Sequence, residues 1–155
     1  MSGAHSTSSH VKFPVTIDPI DFEDCDEDDV DFQSGVILYN FGIAYDCLAA
    51  TAEHNPGASF KKLLQVKSYR IFQMTRSLLS KLSQNDGDDT PNFCTMTKHL
   101  LLKTLLTHNL IQASIQLDLQ FESQEHRETM KDLLLFMEDQ QRMLKILERG
   151  VAEAA

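Results

Sequence analysis

The chain has 155 residues, of which 42% are hydrophobic and 24% charged, so it can bury the core of one domain and is not disordered throughout. Its 23 acids and 14 bases give a net charge of −9, which excludes the strongly basic surface of a typical nucleic-acid-binding protein. No apolar run approaches the roughly 18–20 residues that cross a bilayer, which excludes membrane insertion.

Residues 1–15 lack the apolar stretch of a secretory signal, so we expect a protein that is not secreted. The three cysteines are widely spaced and form neither a disulfide framework nor a zinc motif. This cysteine usage predicts an intracellular, reducing compartment, either cytoplasm or nucleus.

The net negative charge is concentrated near the N-terminus. Residues 18–32 contain nine acids and no Lys or Arg, and the 14 acids elsewhere are matched by 14 bases. Residues 11–20 alternate weakly and contain two prolines, which predicts an extended segment that lays Phe13, Val15 and Ile17 on the body. We therefore expect residues 1–32 to form a flexible or extended acidic segment before a helical domain at residues 33–150.

Two helices are predicted in the first half of that domain. The first runs from about Gln33 or Ser34 to Thr51. Acids precede its N-terminus, where the helix dipole is positive. The second runs from Phe60 to Leu82, with Ser59 as its N-cap. The expected buried residues recur at helical spacing: Leu38, Phe41, Tyr45 and Leu48 on the first helix, and Phe60, Leu64, Ile71, Leu78 and Leu82, widened by Phe72 and Leu79, on the second.

Two further helices follow the polar loop at residues 84–90. The third is predicted from a Thr90–Pro91 start to about Leu119. A turn at Glu122–Ser123 leads to the fourth, Gln124 to Arg149, which Gly150 should end. Their expected buried sides are Leu102, Leu105, Leu106, Leu110, Ala113 and Leu117, and then Met130, Leu133, Leu134, Met137, Leu144 and Leu147. The sequence thus predicts an all-α fold of four long antiparallel helices.

The sequence matches known metal-binding, phosphotransfer and catalytic motifs poorly. Asp24, Asp26 and Asp28 have the spacing that begins a calcium loop, but the required Gly and Glu are missing. His99 and His108 lack the lysine and glycine that follow the histidine of a phosphotransfer domain. Metalloprotease, hydrolase and phosphate-loop motifs are absent from the sequence. We therefore predict no catalytic residue, no metal site and no cofactor.

Residues 38–45 read LYNFGIAY, which resembles the first helix of a tetratricopeptide (TPR) repeat. Over residues 34–147 the pattern is similar to the short TPR-like proteins of diatoms. The chain between Tyr45 and Ser68 is longer than the family's, and Ile111 and Ser114 stand where glycine and tyrosine are expected in a second repeat. The matching positions are Leu38, Phe41, Gly42 and Tyr45, then Ser68, Phe72 and Thr75, and finally Leu110.

The resemblance implies that the four helices form two TPR-like helical hairpins. Gly42 would let a neighbouring helix approach closely, while Phe41 and Tyr45 would fill the space between the paired helices. The family's function implies a non-enzymatic protein–protein interaction module, an adaptor or assembly subunit that binds a partner peptide or helix. The residues expected to contact this partner protein are Tyr39, Asn40, Lys61, Lys62, Lys67 and Arg70.

Several alternatives stay open at this point. About three repeats usually make such an array stable, so two hairpins must close into a compact bundle or borrow surface from a partner or another copy. A homo-oligomer is one outcome. The acidic segment is either a docking element or a cover over the helical body. The alternative function is a generic four-helix bundle whose catalytic or phosphotransfer site forms only in three dimensions.

Overall fold

The computed structural model describes residues 14–16, 27–52, 58–82 and 93–153. They form four α-helices: α1 (Glu27–Thr51), α2 (Ala58–Leu82), α3 (Phe93–Gln116) and α4 (Gln120–Glu153). The described ranges contain no β-strand, so the predicted all-α fold with four helices is confirmed. The predictions for Phe13, Ile17, the acids before Glu27, the polar loop at residues 84–90 and the Thr90–Pro91 start fall outside the described residues.

The first two helices form an antiparallel hairpin. Gly35 of α1 lies beside Leu79 of α2, whereas Gly42, two turns later, lies beside Phe72. The numbering therefore rises along one helix as it falls along the other. α1 and α2 share the most extensive contact in the molecule.

The second hairpin, α3 and α4, packs against the first. Thr104 of α3 contacts Met137 of α4, and the short turn between the two helices makes them antiparallel. α2 contacts α3, and a narrower contact joins α1 to α3. Each helix therefore contacts the helix that follows it in sequence, as expected for helices joined by short connections.

At Gly42 the backbone of α1 lies directly against a side chain of α2. A Cβ atom on this residue would lie 2.3 Å from Cε1 of Phe72, whose side chain is fully buried. The Ser68 hydroxyl donates a hydrogen bond of 2.9 Å to the Gly42 carbonyl. The predicted close approach at Gly42 and the predicted burial of Phe72 are therefore confirmed, and Ser68 and Thr75 are buried as well.

The predicted buried face of α1 is wrong at Phe41 and Leu48. Phe41 and Leu48 are 57% and 55% exposed, and Leu38 and Tyr45 are half-buried, so Phe41 does not fill the space between paired helices. α1 is apolar around most of its circumference, so periodicity alone did not fix which stripe faces inward. The buried stripe, set by the approach of Gly42 to α2, comprises Val36, Tyr39, Ile43 and Ala49.

The starts of α1 and α2 also differ from prediction. α1 begins at Glu27 rather than Gln33 or Ser34, so residues 27–32 of the acidic segment are helical. Acids are favourable at the positive N-terminal end of a helix, which outweighs their mutual repulsion here. α2 begins at Ala58, so Ser59 lies inside the helix and is not its N-cap.

The connection between α3 and α4 is a Schellman turn. Asp118 has a φ of 59°, Leu119 N donates to Ser114 O, and Asp118 N donates to Ile115 O. Aspartate is among the few side chains that adopt this left-handed conformation readily. The predicted turn at Glu122–Ser123 is therefore wrong, because α4 begins at Gln120. α4 also continues through Gly150 to Glu153.

The stripe predicted for α3 is confirmed, since all six of its residues are buried or half-buried. On α2, Leu64, Phe72 and Leu79 are buried, but Phe60 is 56% exposed. On α4, Leu134 and Leu144 are exposed. The predictions for the Leu82 and Leu147 side chains fall outside what the structure describes. The remaining predicted residues, Ile71, Leu78, Met130, Leu133 and Met137, are half-buried.

We predict that Gly42→Ala destabilises the fold by about 1–3 kcal/mol, because the new methyl group overlaps the buried Phe72 ring. Urea unfolding followed by circular dichroism measures the change. Gly35→Ala is the matched control, since its methyl would come no closer than 3.1 Å to a side-chain carbon of Leu79. That variant should stay within about 1 kcal/mol of wild type, because alanine favours helix. Equal losses for both variants would contradict the prediction.

Candidate functional site

Residues 14–16 lie along α1 and are held there by one carboxamide. Val15 N donates to Asn40 Oδ1 at 2.9 Å, and Asn40 Nδ2 donates to Val15 O at 2.7 Å. Asn40 thus satisfies both backbone groups of one residue, as a neighbouring β-strand would. The Val15 side chain packs against the core, which confirms its predicted place on the body.

A cavity of about 170 Å³ adjoins this contact. This volume is below the roughly 300–1,000 Å³ of small-molecule sites and suits a single side chain. Phe32 closes one side and stacks on His99 with 4.6 Å between ring centroids. The walls are mostly apolar with one cation, and their residues are Val15, Thr16, Phe32, Val36, Lys98, Leu101 and Leu102. We call the surface formed by Val36, Asn40, Lys98, Leu101 and Leu102 the α1–α3 groove.

Tyr39, next to Asn40 in sequence, joins α1 to α3 beneath this groove. Its hydroxyl accepts a hydrogen bond of 2.9 Å from Asn109 Nδ2. Burial raises the pKa of Tyr39 above its usual value, Asp46 acts in the same direction, and the Asn109 hydrogen bond opposes them. The side chain is 1% exposed, so its predicted place among exposed partner-contacting residues is wrong.

The predicted basic residues lie away from Asn40. Lys67 sits over the Tyr45 ring, 5.8 Å from its centroid. Tyr45 follows Asn40 by five residues, which turns it about 140° around α1. Lys67 therefore lies on another side of α1, and the structure does not gather Asn40 and Lys67 into one groove. Of the other candidates, Lys62 and Arg70 are exposed and Lys61 is half-buried.

The one acid of the N-terminal segment whose side chain the structure describes, Asp31, lies far from Lys61. Asp31 is at the end of α1 beyond Gly35, which is level with Leu79 of α2. Lys61 is about 27 Å from Leu79 along α2 at 1.5 Å per residue. The side-chain contacts of the acids between Asp18 and Asp29 fall outside the described residues.

A second buried polar cluster joins α2 to α4. His126 is 2% exposed, and its Nδ1 lies 3.0 Å from Arg76 NH1. A guanidinium only donates, so Nδ1 accepts and the neutral ring carries its proton on Nε2. Nε2 lies 3.4 Å from the Tyr69 hydroxyl. Arg76 also contacts Glu125 at 3.3 Å.

Burial is the main cause that lowers the pKa of His126, and the positive charge of Arg76 lowers it further. The negative charges of Glu125 and Glu122 oppose this shift. Burial likewise raises the pKa of Tyr69. Sequence reasoning missed this cluster, because Tyr69 and Arg76 are 57 and 50 residues from His126 and no local pattern links them.

Among the side chains that the structure describes, no group of three or more His, Cys, Asp or Glu could hold a metal ion. Within the same residues, none of the helices has the length and apolarity to cross a membrane. The two histidines that the sequence analysis considered for phosphotransfer have different surroundings. His99 is stacked on Phe32, while His108 is exposed.

No protein-family model, curated protein or solved structure matches this chain. The TPR resemblance therefore rests on the sequence positions given above and stays a prediction.

We predict that the folded state loses stability as pH falls below about 6.5, the ordinary pKa of histidine. The folded protein keeps His126 neutral, so the unfolded chain binds a proton more readily. The stabilisation is present above that pH and is lost towards the lower folded-state pKa, by at most about 1.4 kcal/mol per pH unit. Urea unfolding at pH 7.5, 6.5 and 5.5 measures it.

His126→Gln should flatten this dependence, because glutamine stays polar but does not titrate. His108→Gln is the matched control, since it removes an exposed histidine from the neighbouring helix and should keep the wild-type slope. A wild-type slope in His126→Gln would contradict the assignment.

Proposed function

We propose that this chain is a non-enzymatic protein–protein interaction module, an adaptor or assembly subunit whose α1–α3 groove binds an extended peptide of a partner protein. The observation that carries the proposal is the pair of hydrogen bonds between Asn40 and the backbone of Val15. A side chain that pairs with both backbone groups of one residue reads extended main chain rather than a particular side chain.

The surroundings of Asn40 supply the selectivity that a backbone contact lacks. The adjoining cavity is apolar and takes one aliphatic or aromatic side chain. Lys98 is the cation in its wall and favours an acid nearby in the peptide. The expected ligand is therefore an extended segment in which apolar residues alternate and an acid follows. The chain's own residues 15–18, VTID, have this composition.

Occupation of the groove by residues 14–16 supports the cover alternative for the N-terminal segment. A tethered segment competes at an effective concentration that reaches the millimolar range for short linkers. Residues 17–26 form the short link between Thr16 and α1. A partner peptide must therefore displace the chain's own segment, and its apparent affinity falls in proportion to the fraction of closed molecules.

The proposal includes a TPR-like arrangement of the four helices. Phe32 meets His99 and Tyr39 meets Asn109, so α1 and α3 run in the same direction. Two helical hairpins are the arrangement that the resemblance implies. The α1–α3 groove lies on these first helices.

The alternative of a catalytic or phosphotransfer site has one structural candidate, the His126 cluster. His126 is 2% exposed, and both ring nitrogens already face protein groups. A ring in this state offers no nitrogen to a substrate or a phosphoryl donor. This observation favours a structural role for the cluster and supports the interaction module over the enzyme.

The test uses the full-length chain and a fluorescent synthetic peptide that copies residues 11–20. Val15→Asp in the chain should release its own segment, because a carboxylate replaces the half-buried pair of methyl groups that packs against the core. We predict that this variant binds the peptide at least about tenfold more tightly than wild type, since internal competition is removed. Fluorescence anisotropy measures both affinities.

Asn40→Ala added to Val15→Asp should abolish the gain, because both backbone hydrogen bonds are lost. A peptide carrying the same valine-to-aspartate change is the matched ligand control and should not bind. Equal affinity of wild type and Val15→Asp for the peptide, or unchanged binding after Asn40→Ala, would contradict the proposed groove.

A further inference from the structure

The outward side of α1 carries an exposed apolar seam. Ile37, Phe41 and Leu48 are 52%, 57% and 55% exposed. At 100° per residue they lie within an arc of about 40°, on the side of α1 opposite to the buried Tyr39. Spacings of four and seven residues form the straight seam that one helix presents to another.

α2 places a cation at the edge of this seam. Lys67 lies over the ring of Tyr45. Tyr45 stands between Phe41 and Leu48 in the sequence and within about 60° of both around α1. Three further exposed residues of α2 lie within about 60° of Lys67 around that helix: Arg70, Met74 and Lys81.

The seam and the cations lie at the same level of the hairpin. Because Gly42 lies beside Phe72 in an antiparallel pair, Arg70 is level with residue 44 and Lys67 with residue 47. The shared surface is about 17 Å long at 1.5 Å per residue, which matches about three turns of a helix. We call it the α1–α2 outer surface, and its members are Ile37, Phe41, Leu48, Lys67, Arg70 and Met74.

The two helices bring no exposed acid to this surface, although the chain has a net charge of −9. After Asp31, the only acid in α1 is Asp46, which is 5% exposed. The sequence of α2 has six lysines and arginines and no acid. Exposed cations beside exposed apolar side chains are complementary to a ligand that carries acids beside an apolar stripe.

We propose that the α1–α2 outer surface binds an acidic amphipathic helix of a partner protein. The apolar stripe of that helix packs on the seam of α1, and its acids lie beside Lys67 and Arg70. This inference does not depend on the α1–α3 groove.

The occupant is a helix because a bound chain must satisfy its own backbone groups. The backbone groups of α1 and α2 along this surface are used within those helices. An extended peptide finds a backbone partner at Asn40, on another side of α1, whereas a helix needs none. An amphipathic helix docks through apolar residues three and four positions apart, the spacing that the seam itself has.

The charge of the whole chain favours a protein over an anionic membrane as the occupant. A membrane leaflet meets the molecule as an extended negative surface and repels its net charge of −9. A partner helix contacts only the local cations. The Debye length of about 8 Å at physiological ionic strength screens the acids that lie further away.

The test uses the full-length chain and a fluorescent synthetic helix of about three heptads, with leucine at positions a and d and glutamate at e and g. Fluorescence anisotropy at about 0.15 M salt measures its affinity. We expect saturable binding in the micromolar range. The matched peptide with lysine in place of each glutamate should not bind at the same concentrations.

Lys67→Glu should weaken binding of the glutamate peptide at least about fivefold, because an acid then faces an acid. Lys62→Glu is the matched control. It makes the same charge change at an exposed lysine of α2 that lies about 140° around the helix from Lys67, and it should leave the affinity within about twofold of wild type. Phe41→Ala should also weaken binding at least about fivefold, because it removes a ring from the seam.

A charge exchange gives the sharpest outcome. The double variant Lys67→Glu/Arg70→Glu should lose the glutamate peptide and gain the lysine peptide. Circular dichroism checks that each variant keeps its helices, which is expected because the substituted side chains are exposed.

Four results would overturn the proposal. They are no binding of the glutamate peptide to wild type, equal binding of the two peptides, equal losses in Lys67→Glu and Lys62→Glu, and failure of the double variant to exchange its preference. Binding of wild type to phosphatidylserine vesicles that the double variant loses would assign the surface to a membrane and overturn the proposal as well.

Discussion

The close approach of α1 to α2 at Gly42 determines the orientation of the residues that matter elsewhere. The Phe72 ring occupies the space where any other side chain at position 42 would stand. Once Gly42 faces α2, helical geometry turns Tyr39 towards α3 and Asn40 to the next side, where Val15 lies. One contact of backbone against ring thus sets both the buried face of α1 and the position of the peptide contact. The exposure of Phe41 and Leu48 is the other consequence of the same rotation.

Buried polar side chains then help to hold the two hairpins together. Asn109 donates to the Tyr39 hydroxyl between α1 and α3, and Arg76 bonds His126 between α2 and α4. Apolar helix faces can slide by a turn at little cost, whereas a buried hydrogen bond that loses its partner costs about 1–3 kcal/mol. These contacts therefore fix register more than they add stability. They matter in a chain with only two hairpins, because few neighbours constrain each helix.

Helix number, helix type and the buried stripe of α3 could be predicted, because α3 has one apolar side and one polar side. The inward face of α1 could not, because its apolar residues surround the helix and only the partner ring selects among them. The α3–α4 turn was missed because Asp118 supplies the left-handed residue that glycine usually provides. At the groove, Asn40 and Val15 were each predicted to matter. Their pairing spans 25 residues and depends on two hydrogen-bond geometries that no sequence pattern encodes.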